Sequence, residues 1–462
     1  MANVSFSGMA SGIDTDALIE ATLDAKRSQR IKPLEDKISE AEDESSAINT
    51  LKDKLLSLKS ELSKYNTLAG GAVKKEALSS DESVVSAVAS NVANQGSYDI
   101  TVTSLAKRGI FTVGRTFESA SSIVDSSAVS GETFTIKVGT GVEQKELQVQ
   151  IGATTTPADI VDYINANNIG CQASCINIGT SAEPAYTIMI TSSQEGLSKG
   201  SLEVTTESGS ENITNLINNG TLTQAKNAVF SIAGLASNIQ RESNGVADII
   251  PGVSLNLNAI GTSVVTISND LDNTESNVKD IIDAINDIFS FVSENNTVER
   301  QEDGDDVQNI FAALSKTTVD NNVVQSIKAV ITSTKEANGT YVRIFADFGI
   351  TTNPKLGTLD FDTDKFEEAF SKDPNAINSI LTKFSDTLSS TGGTIEQFTR
   401  YNGLLDVVIN NNTNQITDYN DRIGRYESML AKEESQMRAM YARFEKLMSE
   451  LQNSANSLTS LI

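Results

Sequence analysis

The sequence predicts an α+β multidomain protein: terminal coiled-coil helices and a discontinuous helical stalk domain, with nested β-rich domains inserted between the helical halves. Three observations carry that class. Apolar residues near both ends recur at steps of three and four, the spacing of helices that pack on helices. Between them the period falls to two, as in half-buried strands. The 462 residues also exceed the roughly 250–300 at which a single core stops growing, so several cores are expected.

Taken in chain order, Asp14 is placed to cap a first helix, with Ile13 and Leu18 as a hydrophobic staple across its start. Pro33 marks either a kink or the first turn of a second helix. That helix carries Ile31, Leu34, Ile38, Ala41, Ser45 and Ile48, then Leu51, Leu55, Leu58, Leu62 and Tyr65. The consecutive steps of three around Ile48 form a stammer, which overwinds a coiled coil. From about residue 84 strands follow: Tyr98, Ile100 and Val102 alternate with polar residues, as do Phe134, Ile136, Val138 and Leu147, Val149, Ile151. Thr156 and Pro157 open a short helix bearing Ile160, Val161 and Ile164. More strands are expected around 186–190, 230–232, 253–257 and 264–267.

The helical period returns after Asn273 with Val278, Ile281, Ile282, Ile285, Ile288, Phe289 and Val292. An acidic turn, Glu302 to Asp306, is expected before a helix bearing Val307, Ile310, Phe311 and Leu314. Asp360, Asp362 and Asp364 have the spacing of a calcium loop, but Lys365 replaces the turn glycine and Ser371 the closing glutamate. A strand face running into a helix N-terminus accounts for them better. The last helix has the strongest pattern: Ile416, Tyr419, Ile423, Tyr426, Leu430, Glu433, Met437, Met440, Phe444, Leu447, Leu451, Ser454, Leu458 and Leu461. At 1.5 Å per residue it would run about 65–70 Å and needs a partner for its stripe.

The expected domains are a coiled-coil leg (1–40 and 430–462), a helical stalk with a β-hairpin (41–75 and 271–429), an inner β domain (76–130 and 225–270) and an outer β-rich domain (131–224). The assembly seams are expected at Ile31, Leu34, Ile38, Leu51, Leu55, Leu58 and Leu62, and at Met437, Met440, Phe444, Leu447, Leu451, Leu458 and Leu461.

Composition narrows the function. The chain has 36 basic and 61 acidic residues, a net charge of −25, and no histidine or tryptophan. Without histidine there is no imidazole base and no Ser-His or Cys-His nucleophile. The acidic balance argues against wrapping a nucleic-acid backbone. With aromatics at 5%, base-stacking platforms and sugar clefts are poorly supplied. Carboxylate pairs could hydrolyse glycosides, but among 61 acids some pair is always at hand. Cys171 and Cys175, on one strand face, would lie about 13 Å apart, too far for a disulfide. No catalytic, cofactor or metal residue is assigned. No apolar run reaches membrane-spanning length, and the first ten residues lack a basic and an apolar signal region. The charge is uneven: residues 26–64 carry nine basic and eight acidic side chains and 421–450 six of each, so the acid excess lies elsewhere.

Several stretches resemble one known family in order along the chain. Ser7-Gly-Met-Ala-Ser-Gly-Ile-Asp-Thr-Asp16 with Leu18-Ile19 is similar to the N-terminal signature of bacterial flagellar filament cap proteins, the hook-associated protein 2 family. Tyr98 to Ala106, Phe230 to Gly234, Ser243 to Leu255 and Val265 to Asp270 resemble that family's strands. Phe348-Gly-Ile350, Gly357 to Asp360 and Ala369 to Asn375 resemble its hairpin-and-helix unit, and the C-terminal heptads complete the match. Residues 131–224 carry none of these motifs, and the terminal helices are shared with flagellins and other hook-associated proteins.

The resemblance implies a non-enzymatic, secreted protein at the filament tip. It would form a homo-oligomeric ring, retain exported flagellin and promote its folding and insertion. Implied partners are flagellin, the hook–filament junction proteins and the type III export chaperone and apparatus, with no cofactor, nucleic acid or membrane insertion. The outer domain is a candidate contact for host mucus or glycans and hence for cell adhesion. The alternatives are another axial flagellar protein, or a secreted glycan-binding adhesin or hydrolase.

Overall fold

The computed structural model describes residue 12 and residues 14–459, apart from 130, 209, 304 and 305. These form two compact units, one drawn from 1–72 and 272–462, the other from 73–271. The α+β class holds, with helices concentrated in the first unit and antiparallel sheets in the second.

In the helical unit the first helix, Thr15–Arg30, starts where the Asp14 carboxylate accepts the Ala17 amide at 3.0 Å, satisfying an N–H that would otherwise lack a partner. Ile13 lies outside the described residues. The second helix, Lys32–Ser63, holds Pro33 in its first turn, where a missing N–H removes no bond. The C-terminal helix, Leu404–Thr459, has 56 residues and spans about 84 Å. It begins well before Ile416 because Leu405 and Asn412 extend the buried stripe upstream. The helix Leu271–Asn295 buries the seven apolar residues named from its period.

One expected helix is instead a β-hairpin. Val298–Asp303 and Asp306–Phe311 pair antiparallel, with Val298 opposite Phe311. Val307, Ile310 and Phe311 favour strands as readily as helices, and so short an apolar run does not separate the two periods. The aspartate run behaves as a strand leading into a helix: Asp360 sits in the strand Leu359–Phe361, and Asp362 caps Thr363–Lys372 by accepting the Lys365 amide at 3.1 Å. Beside them Phe345, Phe348, Phe366 and Phe384 pack with ring centroids 5.2–6.2 Å apart.

The β unit contains two hydrophobic cores. The inner core lies between a five-stranded sheet, in the order Lys75–Ser79, Gly261–Asn269, Gly96–Ser104, Ala228–Ile232, Ala236–Arg241, and a three-stranded sheet built on Val85–Ala89, Val253–Leu257 and Gly245–Val246. The outer core is formed by a three-stranded sheet (Lys145–Ile151, Glu132–Val138, Leu202–Ser208) and a four-stranded one (Thr221–Thr223, Ile110–Thr112, Tyr186–Ser192, Cys171–Asn177), with helices Pro157–Asn167 and Glu211–Asn218. Thr156 and Asp159 form a full capping box on the first of these helices.

The division between the two cores differs from that expected at residue 130. Ile110–Thr112 pairs with Tyr186–Ser192, and Phe111, Val113, Phe117, Val124 and Ala128 are buried in the outer core. The chain changes core near Lys107, where it bridges Lys226. Residues 113–128 form no strand of their own, so no period marks them in the sequence.

Candidate functional site

The chemistry-bearing candidates are quickly placed. Among the described residues no group of three or more His, Cys, Asp or Glu could hold a metal, and no helix is long and apolar enough to cross a membrane. Cys171 and Cys175 share the strand Cys171–Asn177 and are both free. Burial pushes the Cys171 thiol up to about 11 and also raises Cys175, which disfavours the nucleophilic thiolate. The remaining candidate is the helical seam.

The first two helices run antiparallel to the C-terminal helix in one register. Asp16 meets Arg438 at 2.6 Å, Lys26 pairs with Glu433, and Arg27 lies 3.5 Å from Glu427. Farther along, Arg30 lies over the Tyr426 ring, Lys37 over Tyr419, and Lys52 meets Asp406 at 2.5 Å. Ion pairs at a seam that is mostly open to solvent contribute little each, so they select a register more than they hold the helices together. Between them Ile19, Leu23, Ile31 and Leu430 are buried, with Ile423, Tyr426, Met437 and Tyr441 packed alongside.

The seam residues fall into two groups. Ile31 and Leu34 are buried and Ile38 is half-buried. Leu51, Leu55, Leu58 and Leu62 are fully buried, on a helix packed against Pro374–Ser389, Thr394–Thr399 and the C-terminal helix. Their apolar surface is already covered by the chain itself. Met437 is half-buried, but Met440, Phe444, Leu447 and Leu451 are 56, 42, 58 and 59% exposed. Leu458 belongs to the helix by its backbone; its side chain, and all of Leu461, lie outside the described residues. Full burial of such side chains contributes about 1.5–3 kcal/mol each, so four of them along one exposed helix face make a surface suited to a partner.

Two further residues shape the seam. Asn412 is buried and donates to the Ala41 carbonyl at 3.4 Å and the Ser45 hydroxyl at 3.2 Å. A polar group with fixed partners penalises slipped registers. Nothing in the run Asn410-Asn-Asn412 distinguishes it from its neighbours in the sequence. Glu433 was visible as a break in the apolar pattern, but its partner Lys26 is identifiable only once the register is known.

Family models match three stretches of the chain: "Flagellar hook-associated protein 2 N-terminus" at residues 11–109, "Flagellar hook-associated protein 2 C-terminus" at 225–453, and "Flagellin hook IN motif" at 133–194. The first two together span more than half of the chain. The third falls in the outer core, where the sequence offered no motif. The A-type flagellar hook-associated protein 2 of Pseudomonas aeruginosa is 26% identical over 84% of each chain. The flagellar hook-associated protein 2 of Escherichia coli O157:H7 is 25% identical over 99% of this chain and 98% of its own. Among solved structures, the D1-D2-D3 domains of the flagellar cap protein FliD from Escherichia coli share the fold, with a TM-score of 0.62 at 22% identity, covering 79% of this chain and 99% of that one.

Proposed function

The chain belongs to the flagellar hook-associated protein 2 family, and from that membership we propose how it works as the structural cap at the distal end of the bacterial flagellar filament. Several copies form a ring that retains exported flagellin and promotes its folding and insertion as the filament elongates. The work is steric confinement and exchange of helical contacts, and no covalent bond is made or broken. The flagellin, adhesin and hydrolase alternatives are not favoured.

One observation carries the mechanism: a single heptad stripe is covered by the chain's own helices as far as Met437 and exposed at Met440, Phe444, Leu447 and Leu451. The covered part holds the leg to its own stalk, and the exposed part is the docking surface. On this reading residues 1–40 and 430–462 act as the leg, 41–75 and 271–429 as the stalk, and the two β cores as the plate. The protein is extracellular when it acts, with further copies, flagellin and the junction proteins as partners, after export with its chaperone.

A strain lacking its own cap, supplied with this chain ending before residue 433, tests the reading. The β unit should remain folded by circular dichroism while filaments stay stunted and flagellin escapes into the medium. Normal filaments from the truncated chain would overturn it. Negative-stain images of the full chain should show closed rings. Glycan-array binding that survives removal of the outer core would separately dismiss a host-glycan role for that part.

A further inference from the structure

The two β cores meet at a neck of unusual economy. The chain crosses it twice, and where it does so a single antiparallel bridge joins the crossings: Lys107 N–H donates to the Lys226 carbonyl at 2.9 Å, and Lys226 N–H to the Lys107 carbonyl at 3.1 Å. An isolated two-stranded ribbon is marginal in water, so one bridge does not fix the orientation of a whole core.

We infer that the outer core is locked onto the inner one by a side-chain latch, and that the neck beneath the latch is a hinge. The latch is one outer-core segment, residues 194–200, ending in the single helical turn Leu197–Gly200 and seated on inner-core residues. Leu197 N–H donates to the Asn227 side chain at 2.8 Å. Ser198 donates to the Glu242 carboxylate through its amide at 3.3 Å and through its hydroxyl. Asn244 donates to the Glu195 carboxylate at 3.1 Å while its amide brackets Ala106, accepting from that residue's N–H at 2.8 Å and donating to its C=O at 3.0 Å. Gly196 closes the seat. Its φ is +82°, and a Cβ there would stand 2.4 Å from Glu242 Cβ, so no side chain fits while the latch is shut.

The bracketing amide recurs. Asn165 holds both backbone groups of Ala173, at 2.8 and 3.0 Å, and Asn286 holds those of Leu359, at 2.7 and 2.9 Å. In those places it fastens a helix to a strand; at the neck it fixes Asn244 to Ala106 within the inner core, and so holds the amide where its remaining N–H reaches Glu195 of the outer core. Beside the latch lies an open cleft of about 420 Å³ lined by Arg108, Gln194, Glu195, Lys199, Glu242 and Ser243, which leaves room for the outer core to rock. The contacts named for the latch are all hydrogen bonds, which water can replace when the seat opens. Such a joint opens without unfolding either core.

The test uses the full chain with Val142 and Leu235, both exposed, replaced by a ketone-bearing amino acid and spin-labelled, which leaves the native thiols untouched. Pulsed electron resonance should give one narrow distance distribution. Glu242→Ala with Asn244→Ala should at least double its width, and so should Gly196→Ala, which wedges the latch without removing a polar group. Hydrogen exchange at 194–200 should rise at least tenfold in both, with protection in the two cores kept. Asn165→Ala, the same chemistry within one core, should lower thermal stability and leave the width unchanged. Unchanged width in the folded latch variants overturns the inference. Should those variants not fold, Ser198→Ala, which removes one hydroxyl, must still broaden the distribution; if it does not, the latch is rejected.

Discussion

Leu51 to Leu62 on the second helix and Met440 to Leu451 on the C-terminal helix read alike in sequence, as apolar residues at steps of three and four. In the folded chain they part company. The first set is fully buried against the chain's own helices, and the second is about half exposed. A heptad stripe states that a helix will be covered, not by whom. The answer depends on length: the C-terminal helix outruns the helices that line it, and its surplus remains available to another chain.

The sharpest way to break this contrast is to shave both stripes. Leu58→Ala removes a side chain with no exposure and should cost about 2–5 kcal/mol, the range for buried leucines, read as a fall in the denaturation midpoint of the monomer. Leu447→Ala with Leu451→Ala should change monomer stability by no more than about 0.5 kcal/mol, as at other exposed sites, yet abolish ring formation in sedimentation and filament growth. If the exposed pair destabilises the monomer like Leu58, the contrast is false. Asn412→Leu comes next. The Ala41 carbonyl still accepts from the Ser45 hydroxyl at 2.7 Å, so the stability cost should stay near that of one net hydrogen bond, about 1 kcal/mol, but the register should loosen, seen as a second distance between spin labels on the second and C-terminal helices. Lys26→Ala should cost at most about 1 kcal/mol, because its pair with Glu433 remains about two-fifths exposed on both sides.

Acid sharpens the contrast from another direction. Hydrogen bonds from Ser127, then Ser210, hold Asp125 down at about 2 in the outer core, and Lys383, then Ser379, hold Glu336 at about 2 in the helical unit. Both folded values lie below the usual carboxylate range, so the unfolded chain binds more protons between about pH 4 and 2. The stability these groups provide is present above that window and lost as pH falls through it. Asp125→Asn should flatten the dependence of melting temperature on pH between 4 and 2; an unchanged slope would show that this carboxylate carries none of it.

Much of this was legible in the residues, because local chemistry fixes it. Asp14 and Thr156 cap the helices they were expected to cap, and the inner strands appear where the alternation is clean. What escaped depends on contacts distant in sequence. Residues 307–311 fit two periods, and only pairing with 298–303 made them a strand. Phe111 and Phe117 are buried in the outer core without forming a pattern. At the seam the stripe was visible, but the line between its covered and exposed parts was not, since it falls where another helix ends.

The antiparallel register also has a kinetic consequence. Asp16 and Arg438, which meet at 2.6 Å, are 422 positions apart in the chain. Contacts between distant residues form late because the intervening loop must close first. Residues 73–271, continuous in sequence, can fold as soon as they are together, whereas the first helix has no cover until the last one arrives. A chain made or moved with its N-terminus leading would therefore carry its first helix without that cover until the last helix joined it.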